Sequence, residues 1–115
     1  MLDAAHASAW HWAQVGNELN RMRATMLLAE VHAVLGHGSV ALPLAQEMRA
    51  FFVGRDTPDW ELAFTHAIYA HAAHAACQIA EYRSAYQQAV VALEAITDKE
   101  DRSVVLKTFS QIPKP

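Results

Sequence analysis

Seven histidines in a chain of 115 residues make metal binding the first chemistry to consider. His71 and His74 stand three residues apart in an alanine-rich stretch, a spacing that puts both on one face of a helix. Neutral imidazole is a good zinc ligand, but a site needs at least a third ligand from another element. Glu30 or His32 could supply it, so a metal-binding or small-molecule-binding bundle on His71 and His74 is one candidate function. Neither the paired Glu-x-x-His of di-iron bundles nor His-Glu-x-x-His occurs in the chain. Histidines in this setting more often pack than ligate, and no metal or cofactor is assigned.

For covalent or acid–base catalysis the chain offers one near match, Gly36-His37-Gly38-Ser39. It matches no known catalytic turn. A helix stop followed by a Ser39 cap explains its composition better, so no catalytic residue is expected and the chain is read as a non-enzyme. Glu30 would be costly to bury alone, and is expected either to face a groove or to pair with an arginine such as Arg23.

The single cysteine, Cys77, excludes an internal disulfide and any Cys-based zinc site, and suits a reducing cytoplasm. Lying inside a helical pattern, it is expected to be a small buried apolar residue. The start, Met1-Leu2-Asp3, carries an acid where a signal peptide has its positive region. Nine basic against twelve acidic residues give a net charge of −3 with no basic stripe, which argues against nucleic acid or an anionic membrane as partner. The uncharged run from Ala63 to Ala80 is nearly long enough to span a bilayer. It holds His66, His71, His74 and Gln78, which fit a buried helix better.

The elements that would carry these residues are helical throughout. Glycine and proline punctuate the chain at Gly16, Gly36 with Gly38, Gly54 with Pro58, and Pro113. The spacing predicts helices from an Asp3 cap to about Val15, from Asn17 to Leu35, and from Ser39 to about Val53, with Pro43 in or just past the first turn of the third. A fourth starts with Thr57 as cap and Pro58 as first helical residue and ends near Cys77. Its residues are apolar nearly all round, which predicts the central position. A fifth runs from about Ile79 to Ile96, and Thr97-Asp98-Lys99-Glu100 reads as a capping box for a sixth that ends near Ser110. Residues 110–115 are expected to form an extended tail on a single domain spanning 1–115.

Two stretches then suggest an internal repeat. Leu28-Ala29, His32, Gly36, Ala41 and Ala45 resemble the signature positions of a tetratricopeptide repeat, and Ala73, Ala76, Ala80-Glu81-Tyr82, Ala85 and Ala89 resemble a second copy. The copies align at an offset of 44 residues, Ala41 on Ala85, and the family's tryptophan and proline signatures are missing. The resemblance implies an all-α fold: about six helices forming antiparallel hairpins, stacked in a short right-handed array. It further implies a non-catalytic scaffold or adaptor that binds a protein or peptide partner in a groove lined by the first helix of each repeat. Met26, Glu30, Ala33, Ala70, His74 and Cys77 match groove positions.

Aromatic pairs add a second contact surface. Residues two apart on a helix point about 200° from each other, so Trp10 and Trp12 cannot share a core. Trp12 lines up with Ala5, Ser8 and Val15, which leaves Trp10 on the polar side as a contact anchor and makes a homodimer through that helix the plainest form of self-association. Phe51-Phe52 poses the same geometric question, and packing across the turn at Gly54-Arg55-Asp56 answers it.

Overall fold

Residues 17–115 are described by the computed structural model, and they form five α-helices and no strand. These are α1 (Glu18–Val34), α2 (Gly38–Val53), α3 (Asp59–Ala75), α4 (Ile79–Glu94) and α5 (Lys99–Phe109). The helix expected over residues 3–15, with Trp10 and the dimer contact assigned to it, lies outside the described residues.

Local chemistry accounts for most helix ends. Asn17 opens α1 by accepting the backbone N–H of Asn20 at 2.9 Å, as an N-cap should. Asp98 opens α5 in the same way, accepting from Asp101 at 2.9 Å, so the cap sits one residue later than the Thr97 box predicts. Thr57 does not cap α3. Its hydroxyl instead donates to the Phe52 carbonyl at 2.6 Å, tying the loop to the end of α2, and the Pro58 carbonyl accepts the first helical bond, from Leu62. Ser39 does not cap α2 either, because that helix already begins at Gly38.

α1 and α3 end identically. After α1, the N–H of Gly36 bonds to Ala33 and that of His37 to His32; after α3, the N–H of Cys77 bonds to His74 and that of Gln78 to Ala73. Both are Schellman closures, which need a left-handed residue at the first position past the cap. Gly36 meets that need at φ 77° and Cys77 at φ 60°. Cys77 is therefore an exposed turn residue, where the helical pattern had placed it in a core.

The two hairpins repeat at a fixed spacing. Glu18 and Asp59, Val34 and Ala75, Gly38 and Ile79, and Val53 and Glu94 are each 41 residues apart. The 44-residue alignment of alanines is thus in the wrong register, because alanine recurs on several faces of α3 and α4. α5 begins one residue short of a third copy of α1.

α3 packs against all four other helices, which is the central position its all-round apolarity predicts. Ala63, Ala67, Ala70, Ala72 and Ala73 have no exposed surface, so neighbouring backbones approach closely there. Gly38 permits the tightest approach: a Cβ on it would lie 2.4 Å from backbone atoms of Ala75 and Ala76, at the far end of α3. Met48, Phe52 and Tyr82 complete this core. Phe51 packs edge-on against Phe52 with the Arg55 guanidinium over its ring, as expected across that turn. The chain's last residues are not a free extension. Ile112 is buried in the main core, and the Tyr82 hydroxyl donates to the Pro113 carbonyl.

No described helix is long and apolar enough to cross a membrane.

Candidate functional site

α1 and α5 both pack against α3. Their helical spacings bring one stripe from each into a shared cleft of about 350 Å³. α1 contributes Arg23, Met26, Leu27 and Glu30, spaced as one helix face. α3 contributes Trp60, Glu61, Phe64 and Ile68, and α5 contributes Thr108. Trp60 and Phe64 also line a second hollow with Asp101 and Val104 of α5, so the same two rings border both hollows, together called the groove. The rings of Trp60 and Phe64 meet edge-on, with centroids 6.3 Å apart. Leu27 is 49% exposed and Val104 54%, which leaves apolar surface open on both flanks.

Polar groups fix the groove walls. Arg23 of α1 donates to both carboxylate oxygens of Glu61 on α3, at 2.8 and 3.1 Å, and its guanidinium lies over the Trp60 ring. Glu61 is buried, and the bidentate pair provides the compensation that a buried carboxylate requires. The bond to Glu61 also raises the Arg23 pKa above its ordinary value. Arg23 is therefore the partner of Glu61, while Glu30 pairs with His71, whose Nδ1 lies 3.3 Å from Glu30 Oε1. Glu30 Oε2 is buried without a hydrogen-bond partner. The Arg23 pairing expected for Glu30 is not formed; Glu30 lines this cleft while bonded to His71.

The sequence-derived site residues separate into three groups. Met26 and Glu30 line the groove. Ala70 has no exposed surface and belongs to the core, so it cannot touch a partner. His74 is half-buried with its ring 5.0 Å from Tyr82 of α4, away from His71 and Glu30. His71 and His74 therefore go to different neighbours, and His32 lies against His37 at 3.3 Å between Nδ1 atoms. Among the described residues no three His, Cys, Asp or Glu side chains come together as a metal site needs.

Leu27, Trp60, Phe64, Asp101 and Val104 were not singled out by sequence as contact residues. The i, i+4 pair Trp60–Phe64 is a visible signal. Which face of α3 it marks as outer is not visible, because that helix is apolar on every side.

A larger cleft of about 590 Å³ lies between α3 and α4, lined by Leu62, His66, Ser84, Gln88 and Val91 among others. It has no aromatic wall and no ion pair. Burial and the nearby Arg49 charge lower the His66 pKa below its ordinary value, and His66 Nδ1 is buried without a partner.

In comparisons with known proteins, the chain matches no family model, no curated protein and no solved structure.

Proposed function

We propose that the chain is a non-catalytic helical-repeat scaffold whose α1–α3–α5 groove holds a segment of a protein partner. The observation that carries this reading is the groove itself: Trp60 and Phe64 form an aromatic floor between the open apolar flanks of Leu27 and Val104. Aromatic side chains beside an arginine are the usual anchors of protein interfaces. An open trough across three helices suits a helix or an extended chain better than an enclosed small molecule.

The hairpin repeat supports the same reading. α1 and α3 begin two hairpins 41 residues apart, and the tetratricopeptide-like resemblance implies a groove on the first helix of each repeat, with Met26 and Glu30 among its positions.

Peptides of about 15 residues displayed on phage, enough for four helical turns, can be panned on the wild-type chain and again on Leu27→Asp. Leu27 is exposed, so the variant keeps the fold and places a charge on the groove. Enriched peptides should lose binding to the variant. Peptides that bind both equally would put the contact elsewhere, and absence of enrichment would count against a binding scaffold.

A further inference from the structure

The chemistry of the groove's occupant follows from its unbalanced charge. At the α5 end the first turns of α3 and α5 carry Asp59, Glu100 and Asp101, with Asp98 as the cap of α5. Acids at helix N-termini are ordinarily explained by the dipole, but each terminus supplies only about half a positive charge. Two termini thus offset about one of these four carboxylates. No lysine or arginine makes an ion pair with any of the four among the described residues. The same segment carries two cations: Lys99 makes no ion pair among the described residues, and Arg102 donates to the carbonyls of Glu94 and Ile96, so neither is bound to one of the four carboxylates.

Crowding is evident at Asp101, which lines the groove beside Trp60 and Val104. Its carboxyl is held above the ordinary aspartate value by desolvation and by the charges of Asp98, Asp59 and Glu100. At the α1 end the cation of Arg23 is already engaged by Glu61, and Glu30 is bonded to His71. The groove is therefore an apolar trough with an acidic α5 end and no free cation among the residues lining it.

We infer that the occupant is a basic amphipathic segment of a protein partner, its apolar side chains on Leu27, Phe64 and Val104 and its lysines or arginines at the Asp101 end. This rests on the groove reading above and deepens it. Opposite charge at the α5 end fixes the direction of the segment and speeds its arrival, while the apolar floor holds it.

The test uses the full chain and three labelled peptides of about 18 residues, read by fluorescence anisotropy. One carries leucines on a single helical face with lysines elsewhere; the second replaces lysine with glutamate; the third scrambles the lysine peptide to destroy the face. The lysine peptide should bind about tenfold tighter than the other two and weaken as salt rises. Glu100→Gln with Asp101→Asn, which leaves the Asp98 cap intact, should weaken the lysine peptide several-fold and, by relieving like-charge repulsion, strengthen the glutamate peptide.

Equal affinity of the lysine and glutamate peptides, or no effect of the double substitution, would overturn the inference. So would scrambled and amphipathic lysine peptides binding alike. If Leu27→Asp still weakens both amphipathic peptides in such a case, the groove reading survives and only its basic occupant is lost. If Leu27→Asp changes nothing, both fall.

Discussion

Gly36 and Cys77 occupy one position in two copies of a hairpin, 41 residues apart, and both hold a positive φ, 77° and 60°. Each closes the preceding helix with the same pair of backbone bonds. Only one of them is suited to it. The left-handed region costs an L-residue about 1–2 kcal/mol, which glycine largely avoids. A Cβ at Gly36 would meet nothing within 4 Å, so that position reads the backbone cost alone.

Cys77→Gly should therefore stabilise the fold by about 1 kcal/mol, and Gly36→Cys should destabilise it by a similar amount. Urea midpoints of the two variants check this, provided their m-values match the wild type. Equal or same-sign shifts would mean that the two turns are not equivalent.

Gly38 is constrained by space, not by φ. Its absent Cβ would overlap backbone atoms of Ala75 and Ala76, and neither can rotate away. Gly38→Ala should cost about 3 kcal/mol, the upper part of the range for overpacking. Gly54→Ala, whose Cβ would lie 3.1 Å from the Ala50 carbonyl, should cost far less. Thermal unfolding of the two variants makes the comparison.

His66 predicts a pH dependence. Its pKa is lowered in the folded chain from the ordinary 6.5 by burial first and by the Arg49 charge second. The unfolded chain then binds more protons than the folded one just below pH 6.5, so stability falls as pH drops through that window and levels off below the folded pKa. His66→Gln should lose less stability than the wild type between about pH 7.5 and 5.5 when the two are unfolded in urea at each pH. Parallel curves would show that other groups carry the dependence.

Legibility in the sequence followed the range of the interactions. Asn17 and Gly36 were readable because a cap and a left-handed stop depend on residues three to five positions away. The stop at Cys77 was hidden, since it lies in an uninterrupted apolar run with no glycine to mark it. Thr57 has the composition of a cap but spends its hydroxyl on Phe52. The partners of Arg23 and Glu30 lie 38 and 41 residues away, and only the packing of α1 on α3 decides between them. The groove shows the same limit. The resemblance set Met26, Glu30 and Ala70 on one surface; Met26 and Glu30 line the cleft, whereas Ala70 is in the core, because α3 offers apolar residues on every face and periodicity cannot rank them.

The central claim is that the α1–α3–α5 face receives a partner segment. Its most direct test is an NMR titration of the full chain with the peptide that display selects or with the amphipathic lysine peptide, read at the Trp60 indole and at the methyls of Leu27, Val104 and Ile79. Saturable shifts are expected at Trp60, Leu27 and Val104, with Ile79, exposed at the start of α4, unmoved. Shifts centred on Ile79, with Trp60 unchanged, would contradict it.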